Sequence, residues 1–254
     1  MSYVKEMKMS LSNEIKSFLQ EEALTRFLRY VKVYTTSDET TGTHPSTERQ
    51  FDLARLLEGE LKELGLENVE LDEYCYLYAT LPASPGAGRT PIGLVAHVDT
   101  SAAVSGENVK PFFRENYDGS PLTFPDDPEL KVTLDDSPEL KDFVGDTIIS
   151  ASGQTLLGAD DKAGIAEIMA ALAAFRKFPE LKHGEIRICF TPDEEIGMGT
   201  AKINADKLPT YCYTMDGGEP GELEAECFDA WGATIKIQGI SVHPGFAKNK
   251  MINA

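Results

Sequence analysis

The sequence predicts an α/β fold, a mixed and mostly parallel sheet flanked by helices, and three observations carry that expectation. IGLVAHV (92–98) and EIRICFT (185–191) are near-continuous apolar runs of strand length, the kind buried on both faces of a sheet. Helical periodicity alternates with them: Ile165, Ile168, Met169, Leu172 and Phe175 recur at three- and four-residue steps. Residues of metal-ligand type follow the apolar runs, and sheets of this class gather function outside the strand C-termini.

Taken in order, a first helix is expected over about 11–33, with Ile15, Phe18, Leu19, Leu24, Phe27, Leu28 and Val31 on its apolar face. TTSDETTGTHPS (35–46) reads as a polar loop. Thr47 and Gln50 have the spacing of a capping box before a second helix, which carries Leu53, Leu56, Leu57, Leu61 and Leu64 and stops at Gly65. Val69, Leu71, Tyr74, Tyr76, Tyr78 and Thr80 mark a pair of strands, and PASPGAGR (82–89) is a turn-rich break. Residues 102–145 read as irregular, acidic and rich in Pro and Asp, and loops of such length are often functional. TIISAS (147–152) is a strand leading to the DDKAG turn and a helix to about Lys177. YCYTMD (211–216) is another strand, and ATIKIQG (233–239) alternates like one.

Composition narrows the function. Forty-two acidic residues against 24 basic ones give a net charge of −18, which argues against nucleic acid as a partner because phosphate binding needs basic surface. No apolar run approaches the roughly 18 residues of a membrane span, and no membrane partner is expected. The N-terminal stretch MSYVKEMKMS lacks a signal core, so a cytoplasmic location is expected. The four cysteines, Cys75, Cys189, Cys212 and Cys227, form no CxxC and read as buried thiols in a reducing compartment.

The chemistry lies in four clusters: His97 and Asp99 in AHVDTS, Asp160 and Asp161 in LLGADDKAG, Glu194 and Glu195 in TPDEEIG, and Asp216 in TMDGG. Each has a plain reading when taken alone. His97 could be a core histidine, the aspartates a helix cap, the glutamates an exposed acidic turn, and Asp216 turn chemistry. Together they suggest one polynuclear metal site. Asp99, two residues beyond His97, is spaced to accept the imidazole's other N–H, as carboxylates behind a ligating histidine do. Two adjacent glutamates invite a division into one ligand and one general base for a metal-activated water. His243 in VHPG is a further candidate.

HVDTS, LLGADDKAG, FTPDEEIG, DGGEPGELE and VHPG occur in that order. Together with NVKPFFRENYDG (108–119) they resemble the co-catalytic zinc metallopeptidase family, which includes the acetylornithine and succinyl-diaminopimelate deacylases, and within it the tripeptide aminopeptidases. The resemblance runs from about residue 24 to the end. It implies a zinc-exopeptidase-like fold, with a catalytic domain over 1–228 and the beginning of a smaller α+β lid and dimerisation domain over 229–254. It also implies two Zn²⁺ per subunit, with His97, Asp160 and Asp216 on one, Asp160 bridging and Glu195 on the other. Asp99 would orient His97, Glu194 would be the general base, the Asp160–Asp161 peptide would be cis, and His243 would help polarise the substrate carbonyl. Small peptide substrates and a homodimer through the lid are implied as well.

The family's last zinc ligand is a histidine placed further along a longer chain, beyond Ala254. On that basis the 254-residue polypeptide is expected to hold about one zinc tightly and to hydrolyse tripeptides poorly, with His44 and His183 the first substitutes for the missing ligand. Two other readings stay open: an N-acyl amino-acid deacylase of the same family, and a catalytically incomplete metal-binding fragment. A magnesium-dependent phosphohydrolase is disfavoured because no Gly-rich phosphate loop with lysine is present.

Overall fold

The computed structural model describes residues 11–88, 90–218, 223–226, 231 and 233–253. The chain divides into two compact units, the first ending at Asp216 and the second starting at Gly217.

In the first unit, α1 (Asn13–Tyr30) starts at Ser12, whose hydroxyl accepts the Ile15 N–H, and carries Glu14 in its first turn and Arg29 in its last, both complementing the helix dipole. Next come α2 (Gln50–Glu63), β1 (Glu67–Leu71), β2 (Leu77–Leu81) and β3 (Ile92–His97). A further run of short strands follows: β4 (Phe112–Arg114), β5 (Leu122–Phe124), β6 (Asp127–Val132) and β7 (Ile148–Ser150). The unit closes with α3 (Ala159–Lys177), β8 (Ile186–Thr191) and β9 (Cys212–Thr214).

Five strands form the central sheet in the order β1-β2-β8-β3-β9. The first two pairings are antiparallel, and β8, β3 and β9 run parallel. The result is the mixed α/β architecture that the sequence predicts, with its parallel half at the end that matters for function. All three helices contribute to the core on one face. Leu53, Leu57 and Leu61 of α2 and Ile165, Ile168, Met169 and Leu172 of α3 join Leu77, Ala79, Ala96, Ile188 and Phe190 of the sheet. The opposite face presents Tyr76, Tyr78 and Cys189, packed with Val95, Ile203 and Leu208. There the Tyr76 hydroxyl accepts the Lys202 N–H at 3.1 Å and the Tyr78 hydroxyl accepts that of Asn204 at 2.8 Å, fastening the segment after β8 over the sheet.

Several local expectations need correction. No capping box opens α2: Arg49 is at the cap position without a side-chain bond, and the Gln50 amide is drawn instead into a buried cluster around Asp193. Residues 102–145 are not irregular throughout but hold β4 to β6, with β5 and β6 forming a hairpin. The strand at 148–150 leaves the central sheet and pairs antiparallel with β4. The Asp160 cluster therefore arrives over a loop rather than off a central strand. Cys212 is exposed because it lies on the edge strand β9, whereas Cys75 and Cys189 are buried; Cys227 lies outside the described residues. No helix among the described residues is long and apolar enough to cross a membrane.

In the second unit, residues 233–239 form no strand, and an isolated antiparallel bridge joins Ile240 to Ile252. The alternating apolar residues Ile235 and Ile237 are exposed, so no sheet face rewards their period within the unit. His243 caps a single 3-10 turn, Pro244–Phe246, its Nδ1 accepting the Gly245 N–H at 3.2 Å.

Candidate metal centre

Parallel pairing brings three chain exits to one edge of the sheet. His97, the last residue of β3, is in register with Thr191, the last of β8, and the Met215 N–H donates to the Val95 carbonyl at 2.8 Å, which fixes the exit of β9 toward Asp216. The start of α3 is the fourth contributor. Gly158 takes a left-handed turn (φ 76°) into it, and Asp160 and Asp161 follow across a cis peptide. Gly164 lets α3 approach this edge: a Cβ there would collide with the Met215 carbonyl oxygen and with the Asp161 carboxylate.

His97, 1 % exposed, is the centre of the constellation. Its Nε2 lies 2.8 Å from Asp160 Oδ1, 3.8 Å from Asp216 Oδ2 and 3.9 Å from Glu194 Oε2. Its Nδ1 faces Asp99, 3.1 Å from the carbonyl oxygen and 3.3 Å from Oδ1. Its backbone N–H donates to Asp161 Oδ2 at 3.1 Å. Two sets of possible ligand atoms gather within 4.8 Å of one another: His97, Asp161 and Asp216, and His97, Asp160 and Glu195. Neither His44 nor His183 belongs to these sets. The His44 Nε2 is 3.1 Å from the Tyr76 hydroxyl, and His183 packs on Phe175 with its Nδ1 2.8 Å from the Gly184 carbonyl.

Asp99 does more than face the imidazole. Fully buried, it accepts the Glu194 N–H at 2.9 Å on one oxygen and the Glu195 N–H at 3.2 Å on the other. One carboxylate thus ties the exit of β3 to the turn after β8.

The electrostatics are those of acids crowded on a single cationic partner. Burial pulls the His97 imidazole down, but hydrogen bonding and attraction from Asp99, with Asp161 and Asp160 behind it, outweigh that and leave it raised to about 10. Burial raises Asp161 to about 8, with His97 opposing and Asp216 adding. Asp216 is raised to about 6 by burial, again against His97 and with Asp160 and Glu194 adding. Glu195 is raised by burial and then by Asp160. One imidazole among several carboxylates, close enough to disfavour one another's charge, is a donor set that fits a divalent cation of hard to borderline character.

All the sequence-predicted residues of the first unit, His97, Asp99, Asp160, Glu194, Glu195 and Asp216, meet here. Three other residues are part of the site's construction: Asp161, which the sequence places beside Asp160 in the same acidic cluster, and Lys162 and Asp193, which carried no assigned role in the sequence. Asp161 holds the His97 backbone. Lys162 is buried, its amine brought down to about 8 by burial, and donates to the Val33 carbonyl at 2.8 Å. Asp193, directly before the glutamates, is fully buried. The available signal was a lysine and a third acid inside otherwise apolar, helix- or strand-flanked motifs.

Residues 157–247 match the peptidase family M20/M25/M40. Peptidase T of Halothermothrix orenii is 52 % identical over 234 residues, which cover 92 % of this chain and 57 % of that protein. Peptidase T of Alkaliphilus oremlandii is 49 % identical over 232 residues, 90 % of this chain and 57 % of that protein. The chain belongs to the M20 peptidase family. It spans a little over half the length of these curated relatives.

Aminopeptidase PepT from Bacillus cereus superposes with a TM-score of 0.56 at 24 % identity, over 79 % of this chain and 44 % of that one. A Staphylococcus aureus tripeptidase gives 0.55 at 23 %, with the same coverage. The M20 chain shares their fold. Membership of this metallopeptidase family implies use of a divalent metal, and the residues gathered around His97 fit one.

Proposed function

We propose that this chain carries the metal-holding and proton-transferring residues of a zinc-dependent aminopeptidase that removes the N-terminal residue of tripeptides. The observation that carries the reading is the convergence of His97, Asp160, Asp216, Glu194 and Glu195 from three strand exits and one helix start. The names of the relatives, Peptidase T and tripeptidase, support the substrate class.

In this reading His97, Asp160 and Asp216 would hold one zinc, and Asp160 and Glu195 would be ligands of a second. Divalent ions bound there supply a water of lowered pKa and a Lewis acid for the scissile carbonyl. Asp99 keeps His97 turned toward the site. Glu194, whose side chain is half exposed, takes the proton of the attacking water and delivers it to the amine as the C–N bond breaks. His243 is assigned to the substrate carbonyl. Residues 1–228 are assigned to the catalytic domain and 229–254 to the start of a lid through which two copies pair in the cytoplasm.

The test is zinc content by elemental analysis combined with a substrate panel, on a form extended past Ala254 so that it carries the histidine the family resemblance places there. Release of the first residue from tri-alanine, with N-acetyl amino acids turned over at least ~100-fold more slowly, is expected; a hundredfold is ~2.7 kcal/mol of transition-state discrimination. Preference for the N-acetyl compounds would make the protein a deacylase, and no zinc-dependent turnover of either class would overturn the reading.

A further inference from the structure

The turn that carries Glu194 is gripped from both sides. On the site side, Asp99 accepts both glutamate N–H groups. On the far side lies a fully buried carboxylate, Asp193, in a left-handed conformation (φ 56°), which aspartate adopts more readily than most L-residues. Its Oδ1 accepts the Ser46 hydroxyl at 2.5 Å and the Gln50 amide at 2.6 Å. Its Oδ2 accepts the Ser46 N–H at 2.7 Å, and His44 Nδ1 stands 3.0 Å away. Gln50 closes the ring, because its Oε1 accepts the Asp193 N–H at 3.1 Å. Asp193 and Gln50 are therefore bonded reciprocally, side chain to backbone and side chain to side chain.

The segment that supplies these partners is itself anchored to the exit of β3. The Thr47 hydroxyl donates to the Thr36 carbonyl at 2.9 Å, and the Thr36 and Thr100 hydroxyls are 3.1 Å apart. The Ser37 N–H donates to the Thr100 carbonyl at 3.2 Å. Thr100 is next to Asp99, so the network returns to the carboxylate that holds the glutamate amides. Ser46, Thr47, Gln50, Asp99, Thr100 and Asp193 are all buried, where each unmade hydrogen bond would be costly. What reads in the sequence as a polar loop is the buckle of a closed ring.

We infer that Gln50, Ser46 and Asp193 form a buried clamp that positions the Glu194–Glu195 turn, so that these three are positioning residues for Glu194. The inference rests on the reading of Glu194 as the base. The φ of Asp193 sets the direction in which the chain leaves β8. A turn freed from the 46–50 segment keeps the Asp99 bonds and the local bonds from the Gly197 N–H to the Glu194 carbonyl and from the Met198 N–H to the Asp193 carbonyl, but loses its fastening to α2, and small displacements of a base reduce rate more than binding.

Two measurements on the metal-loaded protein test it, with Gln50→Leu as the probe, since leucine fills similar space but neither accepts from Asp193 N–H nor donates to its carboxylate. The first is amide exchange by mass spectrometry. Peptides covering 193–197 are expected to exchange about tenfold faster or more in the variant, with α3 as protected as before. Unchanged exchange in 193–197, or equal loosening of α3, overturns the clamp whatever the substrate. The second is a kinetic cycle with Glu194→Gln. Gln50→Leu alone should lower kcat about 10–100-fold with KM unchanged, measured at saturating zinc because Glu195 shares the turn. Added to Glu194→Gln it should cost little more, because both act through one group. Losses that multiply, or that fall on KM, overturn the positioning role. A Glu194→Gln variant with normal turnover would instead sink the base assignment, and the clamp's catalytic purpose with it.

Discussion

Two acidic clusters lie back to back at the end of β8, one residue apart in sequence and opposite in how their charge is satisfied. Asp193 is fully buried among donors: the Ser46 N–H and hydroxyl and the Gln50 amide all point at it. Asp160, Glu194 and Asp216 are 68 %, 51 % and 29 % exposed, and they face one another around one imidazole. The first carboxylate is complete as protein structure. The second group has more acceptors than donors, and only a cation or shared protons relieve it. Density of acids alone does not mark a metal site; the absence of enough N–H and O–H groups to answer them does.

The comparison orders the effects expected of single substitutions. Asp160→Ala removes the acid nearest His97 Nε2 and, in the proposed scheme, a ligand of two ions, so bound zinc and peptide turnover should both fall to near background in elemental analysis and assay. Two equivalents of zinc retained by that variant would exclude a bridging role. Glu194→Gln keeps shape and loses the ability to take a proton; kcat should drop ~10²–10⁴-fold with zinc content unchanged. Loss of zinc instead would exchange the roles of Glu194 and Glu195.

Asp161→Ala comes next. It deletes the acceptor of the His97 N–H and should weaken zinc affinity roughly 10–100-fold in a chelator competition, as removal of supporting groups does. An unchanged affinity would mean that β3 alone fixes His97. The smallest effect belongs to the donor-rich cluster. Ser46→Ala removes one hydroxyl donor from Asp193 and the acceptor of the Asp38 N–H but leaves the Ser46 N–H and the Gln50 amide, so a loss of about 1–2 kcal/mol in denaturant unfolding is expected, with zinc content intact. A variant that lost zinc would erase the distinction between the two clusters.

The legible parts of this molecule are those where residue type and period say the same thing. The apolar runs of β3 and β8 and the helical step of α3 predict their elements within a residue or two, and ligand-type residues at their ends predict which side chains meet. Pairing was not legible. Nothing in TIISAS tells that Ile148–Ser150 pairs with Phe112–Arg114 instead of entering the central sheet, because a three-residue strand carries too little pattern to choose a partner. Nor does spacing show where a polar side chain goes. Thr47 and Gln50 have capping-box spacing, yet Gln50 is bonded to Asp193, 143 positions away, since a buried carboxylate draws a donor more strongly than a neutral backbone or hydroxyl partner. Asp193 was hidden by its neighbours Glu194 and Glu195, and Asp161, though named beside Asp160, had no role of its own; only the fold separates ligand from support.

The most direct test of the account is anomalous scattering at the zinc edge from crystals of the zinc-loaded protein. The account predicts density about 2.0–2.2 Å from His97 Nε2 and from carboxylate oxygens of Asp160 and Asp216, with none at the Asp193 carboxylate. Zinc bound at Asp193 and His44, or no zinc within bonding distance of His97, would contradict it.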